Sequence, residues 1–484
     1  MRLTATLLRT ALLAAATGLL LMLSVAAQGP ARQMAALPPE LVASLARLRD
    51  AALGSDYAWR QVAHLTENIG PRLAGSLQAE AAVNYVADEL RRLGLEVRLQ
   101  EVTVPHWVRG EEKAELTGYP GQAAGTVQKI VLTALGNSAA TPAGGLTADV
   151  VVVNNFDELA ALGRDKIAGR IVLFNENFDK RMAAAGRAGA AYGEAVAYRG
   201  GGPRAAAALG AVATLIRSVG AADYRLPHTG ASGSAGIPAA AVTAEDADLI
   251  AHLTQQGRVV VHLVLTPQTL PETVSHNVIA DLKGSEHPEQ IVIVSGHLDS
   301  WDLGTGALDD AAGVAVAMQA AQLCKQLGLT PRRTLRVVAW MNEENGLSGS
   351  RAYMAEQEGS LSNHVGAIES DFGAGHPLGF IGMFNSSARA ALGQITKVLS
   401  PIGATLLQNG GAGADINAMG RRGVPAFGLM QDERTYFQYH HTAADTLDKI
   451  DPHELAENAA AMVVLGFALA DMPEALPRSN GAQQ

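Results

Sequence analysis

The feature that most constrains this chain is an apolar strand that runs straight into a group of metal-ligand side chains. The run IVIVSGHLDSWDLGTGALDDAAG, residues 291–313, begins with four β-branched residues, a pattern typical of a buried strand. His297 and Asp299 lie at its carboxyl end. Asp309 and Asp310 then open an alanine-rich helix. Since open α/β sheets bind ligands at the carboxyl ends of their strands, the segment predicts an α/β fold with a polar site at one sheet edge.

Three later apolar strands lead into the same kinds of side chain. The strands and the residues at or beyond their ends are TLRVVAWM with Glu343 and Glu344, VGAIESD with Asp371, and VPAFGLM with His440 and His441. A single case could be an acidic surface loop. Four in succession are hard to explain as solubilising charge, because only 17% of the chain is charged.

The residue types and their number indicate a dinuclear zinc site. Two zinc ions roughly 3.5–4 Å apart need a bridging carboxylate and about two further ligands each. The predicted ligands are His297, Asp309, Glu344, Asp371 and His441, with Asp309 as the bridge. Glu343 remains free to take a proton from a water between the metals. Asp299 is close enough in sequence to orient the imidazole of His297.

The same motifs carry a family resemblance. SGHLDSWDLGTGALDDAAG, NEENGLSGS, IESDFG and YHHTAADT resemble the four blocks of the co-catalytic zinc exopeptidases, which include bacterial leucyl-type aminopeptidases and carboxypeptidase Q. HLDSWDLG, ESDFG and the doubled histidine are most similar to the carboxypeptidase Q type. The resemblance spans roughly residues 52–473. It implies a mixed central sheet flanked by helices, two Zn²⁺ ions, the five ligands named above and Glu343 as general base.

Several residues keep more than one interpretation. His440 stands where some aminopeptidase relatives have tyrosine, so it could donate a hydrogen bond to an oxyanion or compete as a ligand. The family motif His-Thr/Ser-x-x-Asp-Thr favours His441. Asp415, after a glycine run, could recognise a substrate amine or cap the following helix. The remaining histidines, including His228, lack neighbouring ligand residues and are predicted to be structural or solvated.

The chain divides by composition and motif. Between residues 118 and 272 glycine and alanine rise, and DVVVVNN, KIAGRIVLFN and GIPAAAVTAED resemble a protease-associated, β-rich domain inserted into the catalytic domain. The alanine-rich stretch 182–202 predicts either a mobile lid or a helix with a frayed end. The predicted division is a signal peptide (1–27), an N-terminal segment (28–51), the catalytic domain in two parts (52–117 and 273–475), the insert (118–272) and a tail (476–484).

The first 27 residues predict export. Arg2 and Arg9 form a basic start, residues 11–23 an apolar core, and Val-Ala-Ala at 25–27 a small-residue cleavage site. The alternative is a retained anchor, but the apolar core is short for a bilayer span. We therefore expect a periplasmic or extracellular protein with no stable membrane span after cleavage.

Charge and cysteine content exclude some partners. Without its first 27 residues the chain has 35 basic and 47 acidic residues, which disfavours nucleic acid and anionic lipid. The single cysteine, Cys324, cannot form an internal disulfide and is predicted to pack as a small apolar side chain. The predicted partners are short peptide substrates and, as an assembly, a second copy in a homodimer.

These features predict a secreted dinuclear zinc exopeptidase of dipeptidase or aminopeptidase type. One alternative is a non-catalytic binding protein of the same fold, in which ligands should be eroded. Another is a one-zinc acyltransferase resembling glutaminyl cyclases, which leaves His297 and the doubled acid unexplained. The motifs do not separate aminopeptidase, dipeptidase and carboxypeptidase. Recognition of a free amine is favoured by the local charges, with acids Asp302, Asp415, Asp432 and Glu433 against cations Arg421, Arg422 and Arg434. An arginine is expected to bind the carboxylate of a dipeptide as a secondary contact.

Overall fold

The structure, a computed structural model, describes residues 36–479. The predicted signal peptide lies outside the described residues, as do the first part of the N-terminal segment and the end of the tail. Within the described range, no helix has the length and apolar character that crossing a membrane requires.

Thirteen α-helices and sixteen strands, with six short 3₁₀ and π segments, make up the regular structure of residues 36–479. The α-helices are α1 (Pro39–Leu53), α2 (Tyr57–Ala63), α3 (Leu77–Arg92), α4 (Phe156–Ile167), α5 (Lys180–Ala184), α6 (Ala188–Ala208), α7 (Ala244–Gln256), α8 (Ala312–Gln326), α9 (Ser348–Glu356), α10 (Arg389–Lys397), α11 (Asn417–Arg421), α12 (Tyr436–Tyr439) and α13 (Pro452–Asp471). The strands are β1 (Glu96–Val108), β2 (Glu112–Gly118), β3 (Gln128–Ile130), β4 (Leu132–Ala134), β5 (Leu146–Val153), β6 (Ile171–Phe174), β7 (Ala213–Arg217), β8 (Ala239–Val242), β9 (Val260–Leu265), β10 (Gln268–Leu282), β11 (His287–His297), β12 (Arg333–Trp340), β13 (His364–Glu369), β14 (Pro377–Met383), β15 (Leu406–Asn409) and β16 (Ala426–Gln431).

The first sheet has eight strands in the order β1-β10-β12-β11-β13-β16-β14-β15. Its four central strands, β12, β11, β13 and β16, run parallel to one another. β10 and β14 pair with this parallel centre in the antiparallel sense. The prediction of a mixed central sheet is confirmed. The four parallel strands are those whose ends the sequence marks with ligand residues, so these ends meet at one edge.

Helices cover both faces of this sheet. Val292 and Val294 of β11 face the core that α8 and α13 help to form. Ile293 points to the opposite face, where it joins a second cluster with Trp340. Strands buried on both faces need apolar side chains throughout, which explains the uninterrupted IVIV run. Helix α13 is buried along most of its length, and Asp451 caps its start by accepting backbone N–H bonds.

A second eight-stranded sheet lies between β1 and β10 in the chain. Its order is β3-β2-β9-β5-β6-β7-β8-β4, and α4 to α7 accompany it. Its strands extend from Glu112 to Leu265, whereas the sequence places the insert at 118–272. The difference arises because β1 and β10 pair with each other as far as Val108 and Gln268, inside the first sheet. Most of the alanine-rich stretch belongs to helix α6.

The two sheets meet beside the first metal-ligand block. Trp301, just after that block's strand, is buried in the core of the second sheet. A Cβ on Gly136 of that region would lie 2.2 Å from the Trp301 ring, so the indole needs a glycine there. Arg109, between the two sheets in the chain, pairs with Asp302 at 2.7 Å. The loop that follows β11 is therefore anchored to the second sheet.

We predict that the buried His364 destabilises the folded protein at acid pH. His364 is fully buried and contacts the Tyr353 hydroxyl at 2.8 Å. Burial and the nearby Arg336 cation lower its pKa from 6.5 to about 4. The unfolded chain therefore binds a proton between these pH values that the native protein does not. The contribution of His364 to the free energy of unfolding is fully present above pH 6.5 and is lost as the pH falls. The loss is about 2 kcal/mol at pH 5.

The measurement is denaturant unfolding at pH 7.5 and pH 5. His364→Gln should have a lower free energy of unfolding than the parent at pH 7.5. Its decrease between pH 7.5 and pH 5 should be smaller than the parent's by about 2 kcal/mol. His252→Gln, at an exposed histidine of α7, is the matched control and should keep the parent's pH dependence. Equal pH dependence in parent and His364→Gln would contradict the assignment.

Candidate metal centre

The parallel strands bring the predicted ligands to one place. His297 is the last residue of β11, Glu344 follows β12 by four residues, and Asp371 follows β13 by two. His441 lies just after α12, beyond the end of β16. Asp309 comes from the loop between β11 and α8. All five side chains take part in two overlapping groups.

The first group consists of His297, Asp309 and Asp371, whose ligand atoms lie within 4.8 Å of one another. His297 Nε2 is 3.0 Å from Asp309 Oδ1 and 3.2 Å from Asp371 Oδ1. The imidazole therefore directs one nitrogen towards two carboxylates, as a histidine ligand beside acidic ligands does.

The second group consists of Asp309, Glu344 and His441, within the same limit of 4.8 Å. His441 Nε2 is 2.9 Å from Glu344 Oε2 and 3.2 Å from Asp309 Oδ2. Asp309 thus belongs to both groups and presents a different oxygen to each. A carboxylate between two ligand sets is the arrangement of a bridging ligand in a two-metal site.

The charges and unsatisfied atoms of this cluster fit divalent cations. Asp309 Oδ2 and Glu344 Oε1 are buried and accept no hydrogen bond. Burial and the Asp309 charge raise the pKa of Glu344 to about 7. Burial alone would lower the pKa of His441, but Glu344 and Asp309 raise it to about 9. Buried carboxylates this crowded require a cation, and oxygen with imidazole nitrogen suits zinc.

Glu343 lies beside the cluster but belongs to neither group of ligands. It is partly exposed on the wall of a cavity that also reaches Asp309 and Glu344. Burial raises its pKa well above the usual value, as do the charges of Asp371 and Glu344. A carboxylate with a raised pKa at the cavity surface is suited to accepting a proton.

An internal arginine holds the loop that carries Asp309. Arg72 is completely buried, and its guanidinium donates to the backbone carbonyls of Leu298, Thr305 and Gly306 at 2.9, 2.7 and 2.8 Å. Gly306 has φ +61°, and a Cβ there would meet Ser300 at 2.3 Å. Sequence reasoning missed Arg72, because an arginine after a Gly-Pro pair gives no sign of burial.

Two carboxylates outside the predicted ligand set complete this support. Asp445 accepts the backbone N–H groups of Ala307, Leu308 and Asp309 at 3.0, 2.7 and 3.2 Å. Burial and the Asp309 charge raise its pKa to about 7. Asp310 accepts the backbone N–H of His297 at 2.9 Å. The second aspartate of the Asp309-Asp310 pair thus fixes the backbone of another predicted ligand.

Asp299 acts differently from the prediction. His297 Nδ1 lies 2.9 Å from the backbone carbonyl of Asp299 but 3.9 Å from its carboxylate. The carboxylate instead accepts the backbone N–H groups of Asn342 and Glu343 at 2.7 and 3.0 Å. Asp299 therefore orients His297 through its main chain. Its side chain holds the turn that presents Glu343 and Glu344.

The two adjacent histidines have different surroundings. His440 Nδ1 contacts His228 Nε2 at 3.0 Å, and His440 Nε2 lies 3.3 Å from Asp309 Oδ2. Only His441 is grouped with both Asp309 and Glu344 among the described residues. The prediction that His228 lacks ligand residues around it is wrong. It is fully buried beside two histidines that lie 212 and 213 positions later in the chain.

The capping interpretation of Asp415 is wrong, and recognition of a substrate amine by Asp415 stays a prediction. It is buried, and both of its carboxylate oxygens accept no hydrogen bond. Helix α11 starts at Asn417 and has Ile416 at its cap position, so Asp415 does not cap it. It is also absent from the cavity wall beside Glu343. Its backbone N–H donates to Glu369 at 3.3 Å.

The cavity beside the cluster has a volume of about 450 Å³, within the usual range for small-molecule sites. Its apolar wall includes Tyr192, Phe372, Tyr436 and Phe437, so both sheets contribute to it. Of the charged residues that the sequence suggested for substrate binding, none lies on this wall. Most have other partners: Asp302 with Arg109, Asp432 with Arg434, Arg422 with Glu358, and Glu433 with the backbone N–H of Gly189.

The known proteins that this chain resembles are peptidases. Residues 277–466 match peptidase family M28. The chain is 39% identical over 428 residues to carboxypeptidase Q of Bos taurus, covering 87% of each. It is 38% identical to the solved peptidase M28 precursor of Shewanella amazonensis, with a TM-score of 0.85 over 91% of this chain and 99% of that one. A zinc aminopeptidase of Bacillus subtilis shares the fold at 21% identity, with a TM-score of 0.62 over 87% and 95%.

Asp445 provides a test of how the loop supports the metal centre. In Asp445→Asn an amide group would replace an oxygen that accepts backbone N–H bonds, so the Asp309 loop should loosen. We expect zinc affinity to fall about 10- to 100-fold, measured by competition with a chelator. Asp448→Asn, at an exposed acid that pairs with Lys449, is the control and should bind zinc as the parent does. Unchanged affinity in Asp445→Asn would show that the loop holds its shape without this carboxylate.

Proposed function

Because this chain belongs to peptidase family M28, whose members are zinc metallopeptidases, we propose that it is a dinuclear zinc exopeptidase acting on short peptides. The observation that carries the proposal is the position of Asp309 in two ligand groups, each completed by one histidine and one further carboxylate. The similarity to carboxypeptidase Q supports an exopeptidase of dipeptidase or aminopeptidase type.

His297, Asp309 and Asp371 would hold one ion, and Asp309, Glu344 and His441 the other. Zinc held by these residues would polarise the scissile carbonyl and lower the pKa of the attacking water. Asp299, Asp310 and Asp445 keep the ligand-bearing backbone in place through hydrogen bonds to main-chain N–H groups. Such support is needed because ligand loops without regular structure would otherwise move.

Glu343 is the general base of the proposed mechanism. Its carboxylate lies on the cavity wall, in the same turn as the ligand Glu344. It accepts a proton from the attacking water and passes it to the nitrogen of the leaving amine. Burial and the neighbouring carboxylates raise its pKa, which makes it a stronger base than an exposed glutamate.

Two other functions are compatible with this fold. A binding protein without catalysis would have no reason to keep a complete set of ligands together with an unbound base, so the geometry supports an enzyme. A one-zinc acyltransferase would leave either His297 or His441 without a metal. The metal content of the purified protein separates this last alternative from the proposal.

Export remains part of the proposal. The basic start, short apolar core and small-residue cleavage site of residues 1–27 support a periplasmic or extracellular enzyme. The insert assigned to the protease-associated type and assembly as a homodimer are likewise predictions from sequence.

Metal analysis tests the number of ions. Protein purified with zinc and freed of loosely bound metal should contain close to two equivalents by elemental analysis. Removing metal with a chelator should abolish peptide hydrolysis, and zinc should restore it. A firm value of one equivalent with full activity would rule out the dinuclear site and favour the one-zinc alternative.

Paired variants separate the base from its neighbouring ligand. Glu343→Gln should retain zinc and thermal stability but lose about 10²–10⁴-fold in kcat, because only the proton acceptor is removed. Glu344→Gln should lose both activity and one equivalent of zinc. If Glu343→Gln turned over substrate nearly as fast as the parent, another residue would have to be the base.

A further inference from the structure

The charged side chains on the cavity wall divide into two kinds. Its acidic residues are Asp309, Glu343, Glu344 and Asp371, all assigned to the metals or to proton transfer. Its permanently charged cations are Arg199 and Arg351. Within the described part of the chain, this wall therefore offers no additional carboxylate for a substrate ammonium group. It does offer two guanidinium groups that belong to neither group of metal ligands.

Arg199 approaches the cavity from the second sheet, on helix α6. It is only 7% exposed, and its Nη1 donates to the backbone carbonyl of Thr229 at 3.3 Å and lies 3.4 Å from Nδ1 of the ligand His441. Its guanidinium carbon lies 5.5 Å from the ring centre of Tyr192. Its Nε is buried and has no hydrogen-bond partner. A buried guanidinium on a cavity wall with no acidic partner is expected to favour an anion.

Arg351 approaches from the first sheet, in helix α9 beyond the turn that carries Glu343. Its side chain is exposed, and it forms no ion pair with the described residues. Other exposed arginines near the motifs are already paired, as Arg422 is with Glu358 at 2.7 Å. Arg351 therefore remains available to a negatively charged group of a ligand.

We infer that Arg199 and Arg351 bind the free C-terminal carboxylate of a short peptide. This inference rests on the proposed exopeptidase function and specifies which end of the substrate the side chains read. Guanidinium groups suit a carboxylate because their planar N–H donors match its two oxygens. The aromatic wall formed by Phe372 and Phe437 would face the apolar part of the terminal residue.

The local charges in the sequence favour recognition of the free amine, whereas the charges on the cavity wall favour recognition of the C-terminal carboxylate. A carboxylate held on this wall places the end of the peptide inside the cavity. The peptide bond that reaches the two groups of metal ligands is then close to the C-terminus. It is the bond of a dipeptide or the bond that a carboxypeptidase cleaves. An internal segment of a long chain would have no carboxylate to offer these arginines.

The kinetic test compares alanyl-phenylalanine with its C-terminal amide. The parent should cleave the free acid with a kcat/KM roughly 10- to 100-fold above that of the amide, as expected for loss of a charge-assisted hydrogen bond. Arg351→Gln should raise KM for the free acid, change kcat little and bring the two substrates close to equality. Arg422→Gln is the control, because that exposed arginine lies off the cavity wall, and it should keep the parent's ratio.

A binding test makes the inference independent of turnover. In zinc-loaded Glu343→Gln, calorimetry should show tighter binding of the free acid than of the amide, and adding Arg351→Gln should remove the difference. If the parent hydrolysed neither peptide, the proposed function would fail, while this measurement would still decide the role of the arginines. Equal binding of acid and amide, no detectable binding, or an equal loss for both in Arg351→Gln would overturn the inference.

Arg199 is tested separately because it is buried. Arg199→Lys keeps the charge but lacks the planar guanidinium, so it should reproduce the loss of discrimination in protein that keeps the parent's thermal midpoint and zinc content. The zinc content is needed as a control because Arg199 contacts His441. If it does not fold, the exposed Arg351→Gln variant decides the question. A folded Arg199→Lys that discriminates as well as the parent would overturn the part assigned to Arg199.

Discussion

The arrangement of the whole site depends on holding one buried carboxylate, that of Asp309, between two histidines. Asp309 lies between β11 and α8 in a short π-helical segment, Ala307–Ala311, in which Asp309 and Asp310 have non-helical backbone angles. The backbone groups of this segment and of the loop before it therefore need other partners. Arg72 supplies donors for three of its carbonyls, and Asp445 supplies acceptors for three of its N–H groups. These two internal residues replace the ladder bonds of a sheet. They give the loop the rigidity that a bridging ligand requires.

The parallel centre of the first sheet determines why this place becomes a site. Four neighbouring strands end at the same edge, and each is followed by polar side chains that lie beyond the sheet. The side chain of Asp299 then links two of these ends, because it follows β11 and accepts hydrogen bonds from the turn after β12. The apolar strands supply stability through burial on both faces, while their ends remain free for chemistry.

The second sheet contributes to the site as well as to the size of the protein. Trp301 and the Arg109–Asp302 pair fasten the loop after β11 to it. His228 from the same region contacts His440, and helix α6 places Arg199 on the cavity wall. The second sheet and its helices therefore shape what can bind beside the cluster.

The sequence by itself determined the parallel strands and the side chains at their ends, because strand periodicity and ligand type are properties of short segments. It identified the five side chains that form the two groups, and Glu343 beside them. Only the tertiary structure decided the burial of Arg72, the contact between His228 and His440, and the use of the Asp299 carbonyl in place of its carboxylate. It also decided that, apart from the acids assigned to the metals and to proton transfer, the charged side chains on the cavity wall are arginines. The acids near the motifs in the sequence had suggested the opposite. Such pairings join segments as much as 234 residues apart, and the burial that gives them their strength exists only after the chain has folded.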